Sequence, residues 1–333
     1  MTFSVIIPAY NASRYIRDAI ESVLRQDFID WELVIINDGS VDNTQCICDQ
    51  FAEKDSRIRV ISKVNAGVSA ARNDGIHAAK GDYLFFLDSD DKLGDNVIQK
   101  VNAEISRLDY QPDIVFGTYS RFDEHTGKRT EYVYDFNSDL SNVRGLEIWR
   151  VLYEKAPVFS CPIMTQIYRT AFLRDNEVFF DSSLFVSEDH DWRYLALTRS
   201  HYYYYNYEFF TYYYRESNTL SVTHTPMTYR KFANSHIYLK KWYNNAMTDN
   251  SLASIKEILL GLIGEDYANK AVDITYIADK QERRMAKKLF REDAYILKNA
   301  RFKRYKLSTL VYRVFGLEIY LFLIAFRRKL LCN

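Results

Sequence analysis

Four short apolar runs, at residues 4–8, 31–36, 57–62 and 83–87, recur through the first quarter of the chain, each pair separated by a more polar segment of helical period. Strands alternating with helices at this rhythm need right-handed crossovers and give a parallel sheet, so the fold class is α/β, Rossmann-like, with helices flanking the sheet. The intervening helices are expected over 13–25, 42–54 and 69–79, the first with Ser13 as N-cap and Ile16, Ile20, Val23 and Leu24 at helical spacing. The turns that follow the strands, at 9–11, 37–40, 65–67 and 88–91, then share one edge of the sheet. That is the carboxyl edge, where open α/β folds bind their ligands.

The fourth run is the most informative. Residues 81–91 read GDYLFFLDSDD, a continuous aromatic-rich strand of the kind buried on both faces, followed at once by Asp88, Asp90 and Asp91. Three carboxylates within four residues repel one another unless a cation, a donor network or open solvent takes up the charge. This predicts a divalent-metal and phosphate site. A polar turn closing a core strand is the plainer alternative. A helix-loop-helix calcium site is excluded, because a loop starting at Asp88 would need Gly at its sixth position and Glu at its twelfth, where the chain has Leu93 and Gln99. An aspartyl-phosphate enzyme would use a strand-end Asp as nucleophile, but no further partner for that chemistry is evident.

No G-x-G-x-x-G follows the first strand and no G-x-x-x-x-G-K-[ST] loop occurs, so a nucleotide would have to be held without a glycine-rich cradle. Its diphosphate charge would then fall to a metal, which the Asp cluster could bind. At 333 residues the chain has length for one large domain or two modest ones. Its four cysteines form no C-x-x-C pair and are too sparse for a disulfide scaffold, which suits a reducing compartment. The N-terminus lacks a basic n-region and its apolar run is too short for a signal peptide, which predicts a mature protein starting here. No segment approaches the about 20 apolar residues of a membrane span, since the longest candidate, 316–326, is interrupted by Glu318.

Further along, the pattern predicts a helix after Leu93 to about Leu108, a strand over 113–119, a polar hairpin-like stretch at 124–128, a segment at 132–136 and a helix over 145–153. An acid-rich stretch at 186–192 leads into a helix ending near Arg199. Residues 202–214 hold eight Tyr and two Phe, which reads as strand core with a minority of the rings lining an acceptor groove. From Tyr229 the pattern is helical through Lys306, with a final amphipathic stretch. No repeat or low-complexity linker separates the halves, so they are expected to pack as one unit.

Taken together, SVIIPAYN at 4–11, INDGSVDNT at 36–44, NAGVSAARNDGI at 65–76, GDYLFFLDSDD and the later SEDHDW closely resemble family 2 glycosyltransferases of the GT-A fold, of the bacterial surface-polysaccharide type. The motifs stand in the right order over residues 1–215. The resemblance implies a Mg²⁺- or Mn²⁺-dependent, inverting transfer of a hexosyl or N-acetylhexosaminyl group from a nucleotide diphosphate sugar, here a UDP-sugar. It implies a catalytic domain over 1–225, with a nucleotide-binding half over 1–110 and an acceptor-binding half over 111–225, and a helical region over 226–333. Carried over residue by residue, Pro8, Tyr10 and Asp38 match positions that hold the uracil and ribose. Asn65, Gly67 and Arg72 match the stretch beside the base and diphosphate. Asp88 would bond the ribose and Asp90 would ligate the metal, with Asp91 and His224 as weaker metal candidates. Asp189 matches the catalytic base, and Tyr214-Arg215 matches an aromatic-Arg position before a donor-closing loop. Asn37 stands where the family commonly has a first Asp, which removes one contact to the base.

Inversion in one displacement needs a single base to deprotonate the acceptor hydroxyl, which a carboxylate facing the metal cluster across the sugar supplies. Crowding of Glu188, Asp189 and Asp191 would raise the pKa of one of them. The plainer alternative is that they cap a helix N-terminus. A sugar nucleotidyltransferase would carry a glycine-rich phosphate loop where this chain has PAYN, and a non-catalytic nucleotide-sugar binding protein would have little need of intact Asp88, Asp90 and Asp189.

Charge is unevenly distributed. From Lys280 to the end there are fifteen Lys or Arg against four acids, a balance of +11, and since the whole chain is neutral, residues 1–279 carry −11. The basic residues at 298–306 and 327–329 flank apolar positions from Leu310 to Phe326. This is the pattern of a helix lying in an anionic membrane interface, or of a helix packed on the protein itself or on a second subunit in a homodimer. A lipid-linked or polysaccharide acceptor favours the membrane, with the protein cytoplasmic and peripheral on the inner face. Nucleic acid is not expected as a partner, since no recognition motif accompanies the basic residues.

Overall fold

Seven consecutive buried residues, FSVIIPA, form β1 (Phe3–Ala9), the strand on which the sheet is built. It pairs in parallel with β2 (Trp31–Asp38) along its whole length, and β2 pairs in parallel with β3 (Ile58–Lys63). On its other side β1 pairs in parallel with β4 (Tyr83–Phe86), in a register ending at Ile6 opposite Phe86. Pro8, which has no N–H to give, lies beyond that register, so the β4 ladder loses no bond to it. The computed structural model describes residues 1–123, 126–132, 140–155, 163–215, 225–299 and 310–323. It resolves into two units, residues 1–183 with 188–219 and residues 184–187 with 220–333.

In the first unit the helices α1 (Ile16–Leu24), α2 (Thr44–Ala52) and α3 (Val68–Ala78) fall between the first four strands. The alternation of β1 divides its side chains between two faces. Phe3, Val5, Ile7 and Ala9 share one core with Ile16, Ala19, Ile20 and Val23 of α1 and with Val97, Ile98, Val101 and Ile105 of α4 (Val97–Ile105). Ile6 points the other way, against α3. The approach there is so close that a Cβ on Gly75 would lie 2.1 Å from Ile6 Cγ2, so any larger residue at 75 forces helix and strand apart.

Beyond β4 the sheet becomes mixed. Among the described residues its order is β3-β2-β1-β4-β8-β6-β9-β5, with β5 (Lys92–Leu93), β6 (Ile114–Phe122), β8 (Gln166–Arg169) and β9 (Tyr203–Arg215), and with β7 (Arg129–Tyr132) paired to β6. β8 runs antiparallel to β4 and β6, whereas β9 is parallel to β6. Strand order reverses beside β1, the position at which open α/β sheets bind their ligands at the carboxyl edge. This is the α/β, mostly parallel GT-A architecture that the sequence predicted.

Several local expectations need correction. The fourth helix starts at Val97 and not directly after Leu93: Lys92 and Leu93 pair with Tyr213 and Tyr212 of β9, the Leu93 N–H donates to Ser22 Oγ of α1, and the Gly94 N–H still bonds the Thr211 carbonyl of β9. Gly145–Glu147 is a 3₁₀ turn, and only then does α5 (Ile148–Lys155) begin. β8 and the following α6 (Thr170–Asp175) were not foreseen. The Tyr-rich block is indeed a strand, with Tyr203 and Tyr212 buried and Tyr204, Tyr213 and Tyr214 half-buried. The segment expected at 132–136 lies outside the described residues apart from Tyr132.

The second unit is helical, as the sequence predicted: α8 (Tyr229–Thr248), α9 (Lys256–Tyr276), α10 (Lys280–Glu292), and a further helix over 310–323. Thr228 and Asp279 cap α8 and α10, their side chains accepting the N–H groups of Lys231 and Glu282. Phe232, Leu239, Leu259, Ile263, Tyr267 and Phe290 form its interior.

Candidate active site

Strand ends of the first unit bring the predicted residues to one edge. Near the end of β1, Pro8 is buried, and just after the strand Tyr10 is half exposed, at 53%. Asn11 takes a left-handed conformation (φ 49°) and its Oδ1 accepts the Val41 N–H at 2.9 Å, which ties the first turn to the second. Asp38 closes β2 and is buried. Its Oδ1 accepts the Ala66 N–H at 2.9 Å and its Oδ2 the Gly67 N–H at 2.8 Å, while Asn65 Nδ2 donates to the Asp38 carbonyl at 2.9 Å. The Asp38 carboxylate is therefore the anchor of the 65–67 turn. Gly67, the residue before α3, has φ 91°, a backbone that a side chain would strain.

Arg72, on α3, is the hub. Its guanidinium is buried, its Nη2 donates to Asp88 Oδ1 at 3.0 Å and its Nη1 to Glu188 Oε1 at 3.2 Å. It lies over the Phe180 ring at 5.3 Å, and that ring stacks on Trp192 with centroids 4.0 Å apart. Asn73 fixes the same segment by a reciprocal pair, its amide donating to the Phe180 carbonyl and its Oδ1 accepting the Phe180 N–H. Arg72 thus joins the acidic turn after β4 to the start of α7 (Glu188–Arg199), 116 positions away.

Asp88, Asp90 and Asp91 offer carboxylate oxygens that all lie within 4.8 Å of one another. An all-oxygen carboxylate set suits a hard divalent cation such as Mg²⁺ or Mn²⁺. Burial raises the Asp88 carboxyl above its ordinary range, opposed by Arg72 and reinforced by Asp90. Burial raises Asp91 further, with Asp90 and Asp88 adding to it. Such crowding is what a cation would relieve, so the residues fit the group. Asp91 differs from its neighbours because its Oδ1 accepts the Arg215 N–H at 2.8 Å.

Arg215 is also buried, but its side chain faces the turn's scaffold. Nε donates to the Asp90 carbonyl at 2.7 Å and Nη2 to Asp18 Oδ2 at 2.9 Å, and the guanidinium lies between the rings of Tyr15 and Phe122 at 4.8 and 5.1 Å. Asp18, Tyr15 and Phe122 are parts of the site that sequence reasoning missed. Asp18 sits on α1, 197 positions from its partner, and nothing local signals the pairing.

The acidic pair splits in its proton affinity. Burial raises Glu188, against the pull of Arg72 and with the help of Asp189. Burial pushes Asp189 up too, but His190, Arg193 and Arg72 together pull it below its ordinary value, and its Oδ1 accepts the His190 N–H at 2.9 Å. Pro8, Tyr10, Asp38, Asn65, Gly67, Arg72, Asp88, Asp90, Asp91, Asp189 and Arg215 all belong to the one unit. His224 lies outside the described residues.

Relatives share this frame. The chain is 38% identical over 131 residues to glycosyltransferase GlyG of Streptococcus pneumoniae, covering 39% of this chain and 43% of GlyG. It is 43% identical over 108 residues to the uncharacterized glycosyltransferase EpsJ of Bacillus subtilis, covering 32% of this chain and 31% of EpsJ. The matched stretches span under half the length of these relatives. Among solved structures, S. aureus TarS 1–349 in complex with UDP-GlcNAc superposes with a TM-score of 0.62 at 20% identity, covering 94% of this chain and 92% of that one. The mannosyltransferase PcManGT from Pyrobaculum calidifontis, in complex with GDP-Man and Mn²⁺, gives 0.54 at 15% identity, covering 98% and 86%. Residues 4–172, just over half of the chain, match the family model "Glycosyl transferase family 2", and the chain belongs to that family.

Proposed function

We propose that this protein is an inverting glycosyltransferase that moves a sugar from a UDP-sugar to a hydroxyl of a lipid-linked oligosaccharide or growing cell-surface polysaccharide. The observation that carries the reading is Arg72, which bonds both Asp88 and Glu188 and so brings the acidic turn after β4 and the acidic start of α7 into one site. The UDP-GlcNAc complex of TarS supports a uridine nucleotide donor, and the GDP-Man and Mn²⁺ complex of PcManGT supports a divalent cation.

In this reading Tyr10, Asn65 and the backbone of the 65–67 turn flank the nucleotide, and Asp38 keeps that turn in place. Asp90 is the principal metal ligand, with Asp88 and Asp91 beside it. A Mg²⁺ or Mn²⁺ ion held there supplies charge neutralisation for the diphosphate leaving group. Asp189, below its ordinary carboxyl range, is ionised at neutral pH and so available as the proton acceptor. The acceptor O–H gives its proton to Asp189 as its oxygen bonds the anomeric carbon and the bond from that carbon to the diphosphate breaks, releasing UDP with inverted configuration. Glu188, tied to Arg72, orients the pair.

The test is release of UDP from a panel of UDP-sugars, with and without divalent cation and acceptor extract. Asp90→Ala is expected to lose metal-dependent donor binding. Asp189→Asn is expected to keep donor binding and lose transfer. Normal turnover by Asp189→Asn removes the base assignment, and no UDP release from any donor favours a binding protein instead. Among the described residues no helix is long and apolar enough to cross a membrane; the proposed site of action is the inner face of the cytoplasmic membrane.

A further inference from the structure

The helix over 310–323 rests on its own unit through only part of its circumference. Leu317, Tyr320 and Leu321 are buried, Tyr320 Oη reaches the Ala268 carbonyl of α9 at 3.4 Å, and the Tyr312 ring meets Phe290 of α10 edge-on with centroids 6.0 Å apart. Much of the rest of the surface is apolar and open, Arg313 and Glu318 being exposed beside it: Leu310, Val314, Phe315, Ile319 and Leu323 are between 43% and 61% exposed. Gly316, at φ 75°, turns the backbone in the middle of this stretch. An exposed apolar stripe of this size on a helix with polar flanks marks a surface that meets something.

Beside the stripe lies a cavity of about 310 Å³ whose wall contains Arg291, Lys298 and Arg313 together with Tyr295 and Tyr312. Its acid, Glu292, is paired with Lys288 at 3.9 Å. Arg291 also reaches Glu318 at 3.0 Å, which Lys287 pairs with as well. Three cations and two tyrosines around one opening, next to aliphatic and phenyl side chains facing solvent, combine the two halves of an interfacial site. Guanidinium and ammonium groups take phosphate, tyrosine tolerates the wet boundary, and the apolar residues enter the acyl region. A protein partner for the stripe would need no basic cavity beside it. Charge complementarity therefore selects the occupant.

We propose that the 310–323 helix and the cavity formed by Arg291, Lys298 and Arg313 dock the protein on an anionic phospholipid bilayer, with lipid phosphates at the cavity and Val314 and Phe315 immersed. This deepens the reading above, since a lipid-borne acceptor would be met at that surface, but its test reads vesicle binding and not transfer, so either can fail alone.

The test is co-sedimentation of the full chain with sucrose-loaded vesicles of phosphatidylcholine, with and without one third phosphatidylglycerol. The wild type is expected to pellet with the anionic vesicles and to be released by added salt. Each cation near an anionic surface contributes about fivefold in partitioning, so Lys298→Glu with Arg313→Glu should lower it at least about 25-fold. Val314→Ser with Phe315→Ser should lower binding to the same vesicles while leaving the residual salt dependence. Both pairs are solvent-facing, and unchanged thermal melting shows that they fold. Equal pelleting with neutral vesicles, or wild-type partitioning by either double variant, overturns the proposal. So does a dimer that Val314→Ser with Phe315→Ser converts to a monomer without change in pelleting, which would make a second copy the occupant.

Discussion

Removing the Arg72 side chain tests whether the two acidic groups of the site are held by one cation. Arg72→Ala deletes the partner of Glu188, whose side chain is 16% exposed, and of Asp88, whose side chain is 34% exposed. Breaking a buried pair by deleting one member costs roughly 3–5 kcal/mol, because the remaining charge is left desolvated. Asp88 can rehydrate, so its share is that of a screened surface pair, about 1 kcal/mol or less. Glu188 cannot, and the loss of Arg72 over Phe180 removes packing as well, so the expected destabilisation is about 3 kcal/mol. Arg72→Lys keeps the charge but a single ammonium does not span both carboxylates, and the loss of one charge-assisted bond predicts about 2 kcal/mol. Urea unfolding followed by tryptophan fluorescence measures both, and Trp192 stacks on the Phe180 ring beneath the guanidinium. A double-mutant cycle of Arg72→Ala with Glu188→Gln should return a coupling of about 1–3 kcal/mol. Arg72→Lys should also cut transfer about 100-fold through misplacement of the acidic pair. A cost below about 1 kcal/mol for Arg72→Ala, or no coupling in the cycle, refutes the bridging role.

His236, on α8, is buried with its Nδ1 at 3.0 Å from the Phe232 carbonyl, and its Nε2 has no partner among the described residues. Burial lowers its pKa from 6.5 to about 4, so between those values the unfolded chain binds a proton that the folded unit refuses, and stability falls as pH drops from 6.5 towards 4. The loss should approach about 3 kcal/mol, seen as a falling melting temperature that His236→Phe flattens; a variant with wild-type pH dependence contradicts this. Asp38→Asn turns one acceptor of the Ala66 and Gly67 N–H groups into a donor, which should cost about 1–3 kcal/mol and speed hydrogen exchange at those two amides. Unchanged exchange there would mean that the 65–67 turn is held by something else.

The strand-helix rhythm and the acidic turn were legible because both are local. An apolar run of five residues followed by three acids states its own burial and its own crowding, and the four parallel strands follow from chirality and connection length. What escaped was short or distant. β5 has two residues and β8 four, too few for a period of two to show, and the pairing that makes them strands comes from β9 and β4, far along the chain. Arg215 stands out locally, but the partners of its guanidinium, Asp18, Tyr15 and Phe122, come from two distant stretches of the chain. The crowding of Glu188 and Asp189 was visible; which of them rises was not worked out. His190 and Arg193, one and four positions past Asp189, are close enough in sequence to have indicated that its pKa is the one pulled down.

That split assigns different work to neighbouring carboxylates of one site. Asp88, Asp91 and Glu188 are all raised, first by burial and then by neighbouring carboxylates, Asp90 for the first two and Asp189 for Glu188, and the cations close to them are shared: Arg72 between Asp88 and Glu188, Arg215 between Asp18 and the Asp90 carbonyl. A raised carboxyl is one whose negative charge is under-compensated, and it can be compensated by a proton or by a divalent cation. Asp189 is the exception, compensated already by His190 and Arg193 of its own helix and by Arg72 of α3. A group in that state stays ionised at neutral pH. In the proposed transfer the acidic turn after β4 would hold charge and the start of α7 would receive the proton, with the buried guanidinium of Arg72 bonded to both.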